Sequence, residues 1–473
     1  MNTSVSRRQF LRQIGCTGMS AIPLLNTLLN LRLMEGVAQA SAPAPGEYRA
    51  LVCILLAGGN DSFNMLVPRE ASAYATYQAS RANLALTPAQ LIDVAPTGLP
   101  PFGVHHLMPE LANLFATGKA AFVANVGSLI EPVQNRTQVN QNLKRLPLGL
   151  YSHSDQIEQW QTSIPHSRSG IGWGGRMADL LKDLNDSQTV PMNISLDGSN
   201  VFQTGNTVAE YSITPAGAVG LSGYNFAWQQ YADVANAMSA AVDSQLAQQY
   251  TNLLAQTFNA RKKQALDAYQ VFSGATAAPL PGGVTFPNTY LGSRLQMIAK
   301  AIQGRSAIGA TRQTFFIQWG GWDHHSDVLE NQTAMLPQVS AAVGAFYNAL
   351  VALGVQNNVT LFSTSDFGRT LTSNGRGSDH AWGGNQFVVG GAVAGQKIYG
   401  QYPSLAVNPD SGPEVNPLDT GRGRFIPTTS CDQFFAELAL WLGVNKSDLP
   451  LIFPNIGNFY STTSSAPPVG FLL

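Results

Sequence analysis

Cysteine is nearly absent: the 473 residues hold three. Cys16 lies in a segment that reads as removable, which leaves Cys53 and Cys431. Two cysteines cannot build a disulfide framework, so an apolar core must hold the chain together. Cys53 stands inside an apolar run and reads as a buried free thiol, with a bridge to Cys431 as the alternative in an oxidising compartment. Charge is also sparse. Asp, Glu, Lys and Arg make up 12 % of the chain against 44 % hydrophobic residues, which excludes a disordered or solvating chain. Beyond the first forty residues no basic run remains, and this argues against nucleic acid as a partner.

The N-terminus carries its own pattern. Ser6-Arg7-Arg8-Gln9-Phe10-Leu11 sets two arginines ahead of apolar residues. A weakly apolar stretch over residues 14–33 follows, broken by Pro23, Asn26 and Asn30, and Ala38-Gln39-Ala40 offers a small-x-small exit. Charged start, apolar middle and small-residue exit form a twin-arginine export signal over residues 1–40. The twin-arginine translocase is the partner this implies, and the periplasm or the outside the destination. A membrane span needs roughly 20 predominantly apolar residues, so the polar breaks argue against one and no stable span is expected after processing. An amphipathic first helix of the folded domain is the alternative. Processing would remove four arginines and Glu35, taking the net charge from −1 to −4. Residues 41–47 read as a linker, and residues 41–473 as a single α/β domain with loop-rich insertions.

Short apolar runs at 50–57, 120–126, 190–196, 314–319, 359–363 and 386–391 read as buried strands. Continuous apolar runs suit strands covered on both faces, as in a parallel sheet. Helical segments are predicted between them, the longest over 225–272 and others over 290–303, 334–353 and 431–442. Alternating strands and helices predict an α/β sheet.

Three of the runs lead into the same kind of residue. Ala57-Gly58-Gly59-Asn60-Asp61 follows the first, Gly320-Gly321-Trp322-Asp323-His324-His325 another, and Ser365-Asp366-Phe367-Gly368-Arg369 a third. In open parallel sheets ligands bind beyond the carboxyl ends of the strands, so these aspartates should converge. Converging carboxylates repel unless a cation or protons neutralise them. His380, in Gly377-Ser378-Asp379-His380, lies just downstream of Asp366. Mixed Asp and His ligands suit Zn²⁺ or Mn²⁺, and an all-oxygen site Mg²⁺ or Ca²⁺. Each aspartate taken alone is as well explained as a helix cap. Ser152 precedes a predicted helix, where a hydroxyl near a metal can act as a nucleophile. From spacing alone it reads first as an N-cap, with Asp155 at N3. Arg369 and Arg176 are candidates to hold an anion, although an arginine in such a loop more often binds carbonyls.

As a set, these motifs resemble an uncharacterised family of twin-arginine-exported bacterial proteins that is similar to the alkaline phosphatase and sulfatase superfamily. The resemblance implies a three-layer α/β/α sandwich with a mostly parallel sheet and a metal centre at its carboxyl edge. It implies Asp323, His325 and His380 as ligands of one metal, probed most simply as Zn²⁺ or Mn²⁺, with His324 an alternative to His325. Asp61 and Asp366 would hold a second, weaker cation such as Ca²⁺ or Mg²⁺, because Phe367 stands where the superfamily usually has a second histidine. Ser152 is then the candidate nucleophile, Arg369 the candidate anion-stabilising group, and His105 a further matching histidine. No cysteine begins a Cys-x-Pro-x-Arg segment, which excludes a formylglycine sulfatase.

The implied activity is metal-dependent hydrolysis of phosphate, sulfate or related esters of a small molecule or a polysaccharide. The rival is a non-catalytic exported binding or assembly protein that keeps the fold and a residual metal site. Retained Asp323, His325 and His380 favour the first, and Phe367 the second.

Overall fold

The computed structural model describes residues 47–225 and 229–472. The predicted export signal over residues 1–40 lies outside the described residues.

The strands are β1 (Arg49–Leu56), β2 (Leu66–Pro68), β3 (Leu91–Val94), β4 (Phe102–His105), β5 (Ala120–Gly127), β6 (Asn193–Ser195), β7 (Tyr211–Thr214), β8 (Gly217–Ala218), β9 (Arg312–Trp319), β10 (Val359–Ser365), β11 (Gly384–Val389), β12 (Ile398–Tyr399) and β13 (Thr429–Ser430). All six apolar runs contribute to one ten-stranded sheet of order β12-β5-β11-β10-β1-β9-β6-β7-β8, with β13 beside β5. β1 lies between β9 and β10 and is parallel to both. β6 continues parallel beside β9, while β11 is antiparallel to β10 and β5. The central strands end level: Leu56 is in register with Ser365 on one side and Trp319 on the other. The loops bearing Asp61, Asp323 and Asp366 therefore leave one edge of the sheet, as predicted.

The longer helices are α1 (Pro109–Ala116), α2 (His153–Thr162), α3 (Trp173–Leu181), α4 (Ala232–Ala247), α5 (Leu253–Ala275), α6 (Tyr290–Gln303), α7 (Val328–Ala352) and α8 (Cys431–Leu442). Side chains alternate across a strand, so β1 feeds two cores. Ala50, Val52, Ile54 and Leu56 pack with Phe115 of α1, Leu295 of α6 and Val343 and Phe346 of α7. Leu51, Cys53 and Leu55 pack on the other face with Trp160 of α2, Met177 of α3 and Phe435 of α8. Each such Leu, Ile or Val contributes about 1.5–3 kcal/mol on full burial. The result is an α/β/α sandwich with a mostly parallel sheet. Cys53 and Cys431 are both buried and free, and burial pushes the Cys53 thiol up to about 12.

α7 is long and apolar enough to cross a bilayer, but Leu336, Val339, Val343, Phe346 and Leu350 are buried in the first core. The single helix predicted over 225–272 is instead α4 and α5. Asn252 restarts the helix, its side chain accepting from Leu254 N and Ala255 N. A second, three-stranded sheet of order β2-β4-β3, not predicted, fills the first crossover and carries His105.

Candidate metal centre

β1 and β9 are locked together beyond their ends. Trp322 N donates to Ala57 O at 3.2 Å. Gly58 adopts φ +125°, and a Cβ there would lie 2.4 Å from Asp323 N. This close approach is what a glycine permits. Gly58 N donates to both oxygens of Asp366, at 3.0 and 3.1 Å. After β10 the chain turns back on itself: Gly368 N donates to Trp382 O and Ala381 N to Gly368 O, both at 2.9 Å. That hairpin returns Asp379 and His380 to the strand edge.

Helix α2 supplies a third wall. Its first residue is His153, and Tyr151, just before it, takes a left-handed φ of 73°. That conformation is costly for a non-glycine residue and here aims a carbonyl at the site. His380 Nδ1 lies 2.8 Å from Tyr151 O. His153 Nδ1 lies 2.7 Å from Asp366 Oδ2, and His325 Nδ1 lies 2.9 Å from Asp379 Oδ1.

These three contacts assign the tautomers. A carbonyl or an ionised carboxylate only accepts, so each Nδ1 must donate and each neutral ring presents a lone pair at Nε2. His325 Nε2 and His380 Nε2 lie 2.8 Å apart. Asp323 Oδ1 lies 3.1 Å from His325 Nε2 and 3.4 Å from His380 Nε2, and Asp323 Oδ2 lies 3.4 Å from His153 Nε2. Asp323 thus stands between the His325–His380 pair on one oxygen and His153 on the other, and lone pairs so placed around a carboxylate repel unless a cation or protons stand between them. Tetrahedral Zn²⁺ bonds of about 2.0–2.1 Å imply ligand separations of roughly 3.3 Å, close to the three Asp323–imidazole distances here. Metal-ligating histidines characteristically give their second nitrogen to a carboxylate or backbone carbonyl, as all three do. The donor set fits a cation, and its imidazole content suits Zn²⁺. Ligand atoms of His153, Asp323 and His380 all lie within 4.8 Å of one another.

Electrostatics follow the same contacts. The hydrogen bond to Asp366 raises the pKa of His153, while burial lowers that of His380. Burial would raise Asp379, but hydrogen bonds from Asn374, His325 and Arg422 hold it well below the usual carboxylate range. Burial likewise opposes ionisation of Asp323, and the hydrogen bond from Arg369 outweighs it.

Asp323, His325 and His380 come together as predicted. His153 joins them and was missed as a candidate ligand; the Ser-His pair at the start of α2 was the available signal. The two carboxylates predicted to hold a second cation have other partners in the fold. Asp366 does not face open space for a second cation, because its oxygens are taken by Gly58 N and His153 Nδ1. Asp61 is fully buried and paired with Arg81 at 2.6 Å, a guanidinium that would exclude a cation from the same oxygen. Asp61 Oδ1, by contrast, is buried with no hydrogen-bond partner among the described residues, so one oxygen of the predicted Ca²⁺ or Mg²⁺ donor set is left open. Asp61 does not cap a helix through its side chain. His324, the alternative ligand, is buried against Trp322 at a ring separation of 5.9 Å.

Arg369 is a positioning residue in this arrangement. Its side chain is fully buried, with Nη1 on Asp323 Oδ1 at 2.7 Å and Gly58 O at 3.2 Å, and Nη2 on Ser378 O. Arg176 binds the carbonyls of Ile452, Ile171 and Thr162. Ser152 stands at the N-cap position of α2 without a capping bond, its Oγ 3.2 Å from Ser154 Oγ. Phe367 packs against His153 and His380, at ring separations of 4.8 and 4.7 Å. His105 stacks on His106 in the small sheet instead of joining the centre, and burial lowers it to about 4.

Solved structures with low similarity include the PsFucS1 sulfatase from Pseudoalteromonas sp., at 12% identity over 80% of this chain and 69% of that one, with a TM-score of 0.28. The soluble domain of lipooligosaccharide phosphoethanolamine transferase A from Neisseria meningitidis shares 8% identity over 87% of this chain and 90% of that one, with a TM-score of 0.33. A variant of the alkaline phosphatase PafA shares 12% over 70% and 64%, with a TM-score of 0.24. No curated protein matches the chain. A family model described as protein of unknown function, DUF1501, matches residues 48–420, and the chain belongs to that family.

Proposed function

We propose that the chain is an exported, metal-dependent hydrolase of phosphate, sulfate or related esters. One observation carries this reading: three Nε2 lone pairs and the Asp323 carboxylate converge, each ring fixed from behind by an oxygen. His153, Asp323, His325 and His380 would hold the cation. It would supply Lewis acidity toward an ester oxygen and acidify a nucleophile brought against it. Asp366, Asp379 and the Tyr151 carbonyl keep the three rings in the binding tautomer. Arg369 holds the Asp323 carboxylate in place. The Asp323 and His325 side chains are 43% and 46% exposed, which supports an open site rather than a closed structural one. Ser152 is the candidate nucleophile nearest in sequence to His153, and its hydroxyl would have to leave Ser154 to serve.

The contacts of Ser152 also favour a second reading, an exported binding protein that keeps the metal and lacks a nucleophile. The experiment is metal analysis of the exported protein, followed by assay against aryl phosphates and aryl sulfates. Stoichiometric metal with hydrolysis that is lost in His380→Ala supports the hydrolase. Metal without hydrolysis across the panel transfers support to the binding protein, and no metal after refolding with Zn²⁺ or Mn²⁺ rejects both. Export is proposed from Arg7-Arg8 and the segment that follows. Replacing both arginines by lysine should leave the precursor unprocessed in the cytoplasm, and normal processing would reject the twin-arginine route.

A further inference from the structure

The turn over residues 419–425 stands beside the centre and is tightly built. Asp419 is fully buried. Its Oδ1 accepts from Gly421 N and Gly423 N, both at 2.8 Å, and its Oδ2 from Asn408 N at 2.7 Å. Thr420 N donates to Arg424 O at 3.0 Å, closing the turn. Between the two glycines sits Arg422, at a left-handed φ of 63°. A side chain at such a position costs on the order of 1 kcal/mol or more relative to glycine. Glycine flanks it on both sides, yet this position bears a long, charged side chain.

The guanidinium of Arg422 is aimed at the centre's rim. Nη1 lies 2.7 Å from Asp379 Oδ2, and the side chain is 40% exposed. Among the described residues no hydrogen bond engages its Nε or Nη2. Arg424, two residues on, donates from Nε to His380 O at 3.0 Å and lies 5.2 Å over the Tyr151 ring. Both arginines therefore rest on the outer supports of candidate ligands, Asp379 behind His325 and Tyr151 behind His380. A carboxylate and an imidazole separate Arg422 from the converging Nε2 atoms. It stands at the rim of the site, one carboxylate and one imidazole away from an ester held there.

We infer that Arg422 recognises a second anionic group on the substrate, beyond the ester that is cleaved. This rests on the hydrolase reading and narrows its substrate class to esters bearing a further carboxylate, phosphate or sulfate. A guanidinium with open donors binds such planar or tetrahedral oxyanions through two parallel hydrogen bonds.

The test uses the full chain, loaded with Zn²⁺ and also stripped by chelator, and two rigid non-hydrolysable probes, phenylphosphonate and 4-phosphonobenzoate. They differ by one carboxylate. Calorimetry should show the wild type binding 4-phosphonobenzoate about tenfold more tightly than phenylphosphonate. Arg422→Gly relieves the left-handed backbone and so preserves the fold. It should abolish that preference while Zn²⁺ content and phenylphosphonate affinity hold. Arg422→Lys should keep part of the preference. Equal wild-type affinities for the two probes overturn the inference. So does an Arg422→Gly variant that loses Zn²⁺ and both probes together, since Arg422 would then only position Asp379. If the wild type takes up no Zn²⁺, the hydrolase reading fails, and the probe preference of the metal-free chain still decides the role of Arg422.

Discussion

Asp366→Asn separates a residue that orients a ligand from one that is a ligand. Asp366 is fully buried and accepts three hydrogen bonds, two from Gly58 N and one from His153 Nδ1. Asparagine has the same outline but carries a donor at one end. If the amide nitrogen faces His153, Nδ1 must become an acceptor, the ring proton moves to Nε2, and the metal-facing lone pair is lost. If the carbonyl faces His153 instead, the ring keeps its tautomer, but the amide meets the Gly58 N–H and the charge that makes the ring more basic is gone. The second arrangement costs less and should dominate. Loss of such an outer partner weakens metal binding about 10- to 100-fold, or about 1.4–2.8 kcal/mol. Competition with a chelator for Zn²⁺ at fixed pH measures this directly, with His380→Ala as the comparison that removes a ligand outright. An Asp366→Asn affinity within twofold of wild type would refute the orienting role. Loss of metal as complete as in His380→Ala would instead make Asp366 itself a ligand.

Three further outcomes are expected. Arg81→Gln leaves the buried Asp61 carboxylate unpaired and should cost about 3–5 kcal/mol in denaturant unfolding, with much of that recovered in the Asp61→Asn, Arg81→Gln double variant; loss of Zn²⁺ from Asp61→Asn alone would restore Asp61 as a ligand. Gly58→Ala should destabilise by about 3 kcal/mol, because its Cβ meets backbone atoms of Trp322 and Asp323 that cannot swing aside; an unchanged unfolding midpoint would show that the strand ends can part. Burial raises Asp432 to about 7, so the folded chain keeps a proton that the unfolded chain has already lost. Wild-type stability from this group is present below about pH 4, falls as pH rises to about 7, and is flat above. Asp432→Asn should therefore gain on the wild type across that window, by roughly 4 kcal/mol at most, in melting curves read against pH. A pH-independent difference would contradict the shift.

The sheet was legible in the sequence because its signal is local. Each central strand is a continuous apolar run ending in a glycine- or serine-bearing turn, and parallel order follows from the helices between them. The aspartates after β1, β9 and β10 were legible for the same reason, since three level strands must release their loops at one edge. What their side chains do there was not legible. The partner of Asp61 is Arg81, 20 residues on, and the partner of Asp366 is His153, 213 residues away. Nothing in the run Ser365-Asp366-Phe367 distinguishes a carboxylate that binds a cation from one that binds the back of an imidazole.

The same limit applies to the Ser152-His153 pair. A serine before a helix attracts attention as a nucleophile or a cap, and its neighbour passes as its accessory. In the fold Ser152 turns to Ser154, while His153 carries the contacts to Asp366 and Asp323. The sequence did hold one usable clue, in its count of histidines and acids. The site needs an acceptor behind every ring as well as a ligand in front, so three histidines call for three outer oxygens. Asp379, next to His380, reads as redundant if it is sought as a further ligand. It is accounted for once it is sought as the oxygen behind His325. Phe367 then takes on a different meaning as well. It packs beside His153 and His380, while one Asp61 oxygen is turned to Arg81 and the Asp366 carboxylate to Gly58 N and His153.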